Sequence, residues 1–215
     1  FRQSVLAAAT SGRLTEDWRQ SQPTVDQWHA TTFGAIAIDL RYGTSKKCEA
    51  EGKGVAVLRI PNIGDDGQPD LHDLKFADFD DTERKKLSLQ KGDLLVIRSN
   101  GSVDLVGKAC VVDDRAEGLV FAGYLIRLRF DKTTVVPRFA FFALTAPEQR
   151  QRIEITAKST SGVNNINSDE LRSLPVNLPS IEEQTEIVRR VETLFALADR
   201  LEARLAQAQT AATRL

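Results

Sequence analysis

Towards the C-terminal end, apolar residues recur in alternating steps of four and three: Ile187, Val191, Leu194, Ala198, Leu201, Leu205, Ala208, Ala212 and Leu215. That spacing is a heptad seam held for about four repeats, the pattern of a helix that packs against a second helix. Pro179 and Ser180 precede the seam and Glu183 follows three residues on. A helix over 180–215 is therefore expected, opened by a capping box, with Glu182 and Glu183 at the positive end of its dipole. At about 1.5 Å per residue it would run roughly 50 Å, longer than a domain of this size needs for its own core. Arg189, Arg190, Arg200 and Arg204 interleave with Glu186, Glu192 and Glu202. The flanks of the seam thus look solvated, salt-bridged or selective for a partner helix, and unlike a basic nucleic-acid-binding helix.

A shorter apolar face, Phe1, Val5, Leu6, Ala8 and Ala9, predicts an opening helix that stops at Thr10-Ser11-Gly12, with Gly12 in the left-handed conformation. Trp18 is the expected anchor of the turn that follows, and 20–23 reads as a linker. From 25 to 178 the pattern changes to short strands punctuated by turns. Strands are expected at 54–60, stopped by Pro61-Asn62, and at 93–99, stopped by the hairpin pair Asn100-Gly101. Two more are expected at 103–112 and 119–130. Apolar and basic residues alternate in Tyr124-Leu-Ile-Arg-Leu-Arg-Phe130, which predicts a strand with one buried and one wet face. Helices are expected at 137–144, 147–155 and 169–174, then an extended strut at 175–179. The fold class is α+β: a globular mixed sheet-and-helix body (21–178) between a short N-terminal helix and turn (1–20) and a long C-terminal coiled-coil helix (179–215).

Composition narrows the function. The chain has 215 residues, 41% hydrophobic and 27% charged, enough for one substantial core. A net charge of −1 gives no global attraction to a polyanion, so any nucleic-acid contact has to come from local basic loops. No apolar run is long enough to span a membrane. Cys48 and Cys110 match no zinc spacing and read as two reduced thiols in a cytoplasmic protein. Methionine is absent even at position 1, as expected of a piece of a longer product. There is no dinucleotide fingerprint, P-loop, nucleophile elbow or Asn/Asp-Pro-Pro-aromatic segment, and neither His29 nor His72 has a metal-ligand companion at helical spacing. No catalytic residue and no metal site are expected. The acidic stretch 65–83 lacks calcium-loop spacing and reads as a solvated loop.

Four polar-basic loops remain: Arg41 to Lys47, Arg59 to Asn62, Arg98 to Ser102 and Lys158 to Asn165. Their cations can neutralise phosphates, their hydroxyls and glycine amides can contact phosphate oxygens, and asparagine can pair with adenine edges. Taken singly, each reads as an ordinary hydrogen-bonded turn ahead of a base-reading loop.

Together the loops carry a resemblance. Tyr42-Gly43-Thr44-Ser45-Lys46-Lys47, Leu58-Arg59-Ile60-Pro61-Asn62-Ile63, Gly92-Asp93-Leu94-Leu95 with Arg98-Ser99-Asn100-Gly101-Ser102, and Thr160-Ser161-Gly162-Val163 with Asn165-Ile166-Asn167 resemble the specificity subunit of type I restriction-modification enzymes. So do Leu174-Pro175, Leu178-Pro179, Glu183-Gln184 and Ile187-Val188, in the same order along essentially the whole chain. The resemblance implies that 21–178 is a target recognition domain for one half of a bipartite site in double-stranded DNA. The helix would be a ruler and a docking rail for modification (methyltransferase) subunits, with the restriction subunit joined indirectly. Methyl transfer from S-adenosylmethionine and ATP-driven translocation with cleavage would belong to those partners, leaving this chain non-catalytic and without a bound cofactor, in the cytoplasm of a bacterium or archaeon.

The candidate DNA-binding residues are Arg41, Thr44, Ser45, Lys46, Lys47, Arg59, Asn62, Arg98, Asn100, Ser102, Lys158, Asn164 and Asn165. Positions shared across such a family more plausibly hold phosphates or shape loops, since each member reads a different sequence, so base contacts are also expected from 62–75 or 113–118. A full member carries two recognition domains and two helical regions. With one of each, this chain is expected to form a homodimer through antiparallel long helices, using Ile187, Val191, Leu194, Leu201, Leu205 and Leu215. The alternatives are a coiled-coil adaptor that never touches DNA, and the specificity region of a fused restriction-methyltransferase enzyme.

Overall fold

A computed structural model describes residues 1–22, 27–52, 54–157 and 162–213, with side chains as far as residue 210. The expected N-terminal helix is α1 (Arg2–Thr10), which buries Val5, Leu6 and Ala9; Gly12 follows at φ +80°. After a 3-10 turn (Arg13–Thr15) come α2 (Glu16–Gln20), β1 (His29–Thr32), α3 (Phe33–Ile36), β2 (Ala37–Tyr42) and β3 (Val55–Leu58). A second 3-10 turn (Ile60–Asn62) leads to β4 (Lys75–Ala77), α4 (Asp81–Leu87), β5 (Leu94–Ile97) and β6 (Ser99–Asn100). Then follow β7 (Ala109–Val111), β8 (Val120–Phe121), β9 (Leu125–Phe130), α5 (Pro137–Thr145), α6 (Pro147–Ala157) and β10 (Asn164–Asn165). The chain closes with α7 (Ser168–Ser173), β11 (Pro175–Leu178) and α8 (Ile181–Thr213). The class is α+β, as expected.

The central sheet runs β2-β9-β5-β7 and is antiparallel throughout; beside it lies a three-stranded sheet, β4-β3-β8, in which β3 and β8 are parallel. The period of two along β5 divides its side chains between two cores. Leu94 and Val96 join Ile126, Phe139, Phe142, Ile187 and Val191 beneath α1, α5 and α8. Leu95 and Ile97 join Leu58, Ile63, Phe121 and Leu125 on the other side.

Several local expectations give way to tertiary packing. The alternation in β9 produces no wet face: Arg127 is 2% exposed. Its guanidinium pairs with Asp39 and donates to the Ser88 carbonyl at 3.0 Å, while Arg129 grips both oxygens of the buried Asp93 carboxylate at 2.7 Å. β9 lies between β2 and β5, and these carboxylates and carbonyls pair the charges that burial would otherwise penalise. The strand expected at 103–112 survives only as β7, because Val103–Leu105 is a 3-10 turn. The one expected at 119–130 is broken into β8 and β9. Asn100-Gly101 is no two-residue hairpin, since neither residue has the positive φ that such a turn needs; the Asn100 side chain instead accepts from the Ser102 amide at 2.9 Å. The anchor expected at Trp18 is Trp28, which packs against the main core. Within the acidic stretch, Asp80 and Glu83 form a capping box that starts α4, a helix the sequence reading missed. No group of three or more metal-capable side chains occurs among the described residues.

The long helix forms where the spacing places it, and the Ser180 hydroxyl accepts from the Glu183 amide at 3.3 Å. The Glu183 side chain does not complete a capping box, because the N-terminal segment takes it. Only 2% exposed, it accepts from the Thr15 hydroxyl at 2.6 Å, from the Trp28 indole at 2.9 Å and from Arg19. The seam is likewise divided. Ile187 and Val191 are fully buried in the chain's own core, so the assignment of these two to a seam between chains is corrected, while Leu194 is partly buried against the same core. The first half of α8 is a wall of the fold, packed on α1 and α5. Beyond Asp199, which pairs with Arg2 of α1, the helix leaves the body, with Leu201 and Leu205 at 55% and 59% exposed. Leu215 lies outside the described residues.

Charge pairing fastens the base of α8. Arg189 donates twice to Glu186 at 2.7 Å, and Arg190 donates to Glu186 at 2.6 Å while bridging to Asp17 and the Leu14 carbonyl. The hydrogen bonds from Arg189 and then Arg190 outweigh desolvation and hold the Glu186 carboxyl at about 2. A carboxylate whose folded pKa is depressed contributes stability above its unfolded value of about 4.3, and loses it as pH falls through the folded one. Denaturation midpoints are therefore expected to drop between about pH 4.3 and 2, and Glu186→Gln to make that acid limb shallower. An unchanged limb in the variant would remove Glu186 from the acid response.

Candidate nucleic-acid interface

Topology brings three of the four loops to one place. β2 and β5 both run antiparallel to β9, so their C-terminal ends and the start of β9 lie at the same end of the central sheet. β3 ends beside β8, from which the chain turns through Gly123 and Tyr124 into β9. At this convergence is a cleft of about 540 Å³ lined by Thr44, Ser45, Lys46 and Cys48, by Arg59, Ile60 and Pro61, by Lys75, by Arg98 and Ser99, and by Ala122, Gly123 and Tyr124. Two backbone hydrogen bonds pin the first loop to the β8–β9 turn: the Thr44 amide to the Phe121 carbonyl at 2.8 Å, and the Gly123 amide to the Thr44 carbonyl at 2.7 Å. This approach requires glycine at 43, where a Cβ would meet the Phe121 carbonyl oxygen at 2.2 Å.

The candidate residues fall into distinct roles. Lys46 reaches Glu83 at 2.5 Å and the Asp78 carbonyl at 2.9 Å, and lies over the Phe79 ring. Arg59 donates to the Asp73 carbonyl at 2.6 Å and its carboxylate at 3.0 Å. The Arg98 guanidinium stacks on Tyr42 at 4.9 Å and makes one long hydrogen bond, 3.5 Å, to the Gly123 carbonyl. Thr44 accepts from the Lys46 amide at 3.1 Å, and Lys47 is exposed. Arg41 pairs with Asp39 at 3.1 Å and is not a lining residue. Asn164 and Asn165 pair with Asn100 and Ser99 across β10 and β6, and the Ile166 amide donates to the Arg98 carbonyl at 2.8 Å, so this segment buttresses the Arg98 wall. Ser102 caps off the Asn100 side chain and stays outside the lining, and Lys158 lies outside the described residues.

Asn62 is a correction. Fully buried, it accepts from the Arg59 amide at 2.9 Å and donates to the Asp70 and His72 carbonyls at 2.8 and 2.9 Å, leaving no amide group for DNA. Its work is to fold the loop that carries Arg59. Removing it leaves buried backbone groups unpaired, so Asn62→Ala is expected to cost about 2–3 kcal/mol in chemical denaturation. A stable variant with selectively weakened DNA binding would restore the contact role.

Tyr42 and Tyr124 were not among the candidates, and Lys75 lay only at the edge of the 62–75 segment expected to contribute base contacts. Lys75 arrives by the pairing of β4 with β3, opposite Val57, a long-range register that no local motif encodes. Tyr124, 62% exposed, sits on the turn that splits the expected strand, and the glycine before it was the available signal. Tyr42 lay within a recognised loop; its hydroxyl accepts from the Ser168 amide at 2.7 Å. Burial pushes the Cys48 thiol up, against the opposing pull of Arg59 and Lys75. The cleft thus offers cations, hydroxyls and an aromatic rim.

The sequence matches the family model of the type I restriction modification DNA specificity domain over residues 41–209. It is 37% identical over 210 residues to the StySPI specificity subunit of Salmonella potsdam, covering 98% of this chain and 45% of that protein. A chain from a structure on complex assembly and conformational transition of the type I R-M system superposes with a TM-score of 0.67 at 19% identity, covering 99% of this chain and 50% of that one. The HsdS subunit of Thermoanaerobacter tengcongensis superposes with a TM-score of 0.59 at 19% identity, covering 94% and 44%. These superpositions speak for the fold. The chain spans about half the length of the proteins it matches.

Proposed function

Because the chain belongs to the family of type I restriction-modification specificity subunits, we propose that it reads one half of a bipartite site in double-stranded DNA and presents it to methyltransferase subunits. The observation that carries this is the convergence of the 44–46, 59–61 and 98–99 loops on one cationic cleft at one end of the central sheet. Chemistry is assigned to partners: S-adenosylmethionine to the modification subunits, and ATP to the restriction subunit that joins through them. The body (21–178) is the recognition unit. The outer half of α8, with Leu197, Leu201 and Leu205 exposed, offers an apolar stripe to the same helix of a second copy. A two-fold pair would place two identical recognition bodies at a fixed distance, so the target would be two inverted copies of one short sequence around a constant gap.

The test is coexpression with the cognate modification subunit in a methylation-free bacterial host, with methylated adenines mapped by long-read sequencing. A gapped inverted repeat is expected. An asymmetric gapped motif would retain DNA recognition and remove the homodimer. An assembled complex that leaves no motif would overturn the reading in favour of an adaptor.

A further inference from the structure

We infer that the cleft grips a phosphodiester of the DNA backbone, held by Arg98 and Lys75, and that base edges are read outside it; this rests on the DNA-binding reading above. Of the four candidate amide side chains suited to bidentate pairing with adenine, three are engaged internally, and the side-chain oxygen of the fourth, Asn165, is buried without a partner among the described residues. Asn62 is buried, the Asn100 oxygen holds the Ser102 amide, and the Asn164 amide nitrogen holds the Gly101 carbonyl at 2.9 Å. What faces the cleft is phosphate-binding chemistry: four cations and the hydroxyls of Thr44, Ser45 and Ser99.

Those cations are not equivalent. Lys46 and Arg59 are neutralised by Glu83 and Asp73. None of the ion pairs among the described residues involves Lys75 or Arg98, so of the four lining cations these two are the ones left without a carboxylate. In a chain of net charge −1, an uncompensated pair in a concavity is where a polyanion gains most. Arg98 is also held in place. Its guanidinium is stacked on Tyr42, its amide donates to the Tyr124 carbonyl at 2.9 Å, and its carbonyl accepts from Ile166. Little ordering remains to oppose binding, and its planar fork suits two phosphate oxygens. Lys75 projects from β4, within the three-stranded sheet. A group seated between them fixes the register of the duplex on the body without carrying sequence information.

The experiment uses the chain in complex with its modification subunit, on a duplex containing the mapped motif, and measures the observed binding constant against salt concentration. Arg98→Ala and Lys75→Ala are each expected to reduce the slope of log K against log salt by about 0.9, the loss of one neutralised phosphate. The methylation motif should stay unchanged, and Arg98→Lys should retain the wild-type slope, which separates loss of charge from local unfolding. Unaltered slopes in both alanine variants, or an altered preference at one base position, would overturn the clamp while leaving DNA recognition standing. A wild-type complex that binds no duplex would overturn both.

Discussion

Replacing Glu183 with alanine is expected to lower the free energy of unfolding by about 3 kcal/mol, an effect large beside the 5–15 kcal/mol typical of a whole domain. The carboxylate is 2% exposed and is the shared acceptor for the Thr15 hydroxyl, the Trp28 indole and the Arg19 guanidinium, three donors from the segment that precedes the central sheet. Without it the buried hydroxyl and the part-buried indole N–H lose their acceptor, and Arg19 keeps the Gly12 carbonyl at 2.6 Å and the Thr15 hydroxyl oxygen at 3.2 Å but no carboxylate. Glu183→Gln retains an acceptor but loses the charge, and should fall between the variant and the wild type. Urea denaturation followed by tryptophan fluorescence would report directly, since Trp28 is one of only two tryptophans. A loss under 1 kcal/mol in the alanine variant would show that the cluster does not fasten α8 to the N-terminal segment.

Leu201→Glu combined with Leu205→Glu is expected to weaken self-association at least 100-fold, about 3 kcal/mol, while leaving the unfolding free energy within about 0.5 kcal/mol of wild type. Both leucines are more than half exposed and lie beyond the last turn that touches the body, so in the monomer the new carboxylates stay in water. In a paired helix they would be desolvated, twice over by symmetry. Val191→Glu provides the contrast: this residue is fully buried in the chain's own core, so the substitution should unfold the protein whatever its oligomeric state. Light scattering and denaturation on the three proteins separate interface from core. A wild type that stays monomeric at high concentration, or association unchanged in the double variant, would end the proposal of pairing through α8.

The division along α8 shows how far periodicity reaches. Steps of three and four state which side of a helix is apolar, because they follow from 3.6 residues per turn. They do not state what covers that side. Ile187 and Leu201 occupy the same stripe, yet one is sealed by α1 and α5 and the other faces solvent. The candidate loops show the same limit. Arg59, Asn62 and Arg98 sit in similar polar motifs, but Asn62 is spent on folding its loop, Arg59 is paired with Asp73 and Arg98 keeps its charge uncompensated. Lys75 belongs to no motif and still lines the cleft.

The sequence by itself determined the α+β class, the long helix and its Ser180 cap, the stop at Gly12, the turn at Pro61-Asn62 and the order of the motifs that carry the family resemblance. Each of these is set by interactions within a few residues, where chain connectivity supplies the partner. Tertiary structure alone decided that Arg127 is buried, that Glu183 answers to Thr15, Arg19 and Trp28, and that five sequence-distant segments share one cleft. Those outcomes rest on which polar group satisfies which across more than a hundred residues in some cases. That choice follows from strand register and burial cost, and a local pattern carries neither.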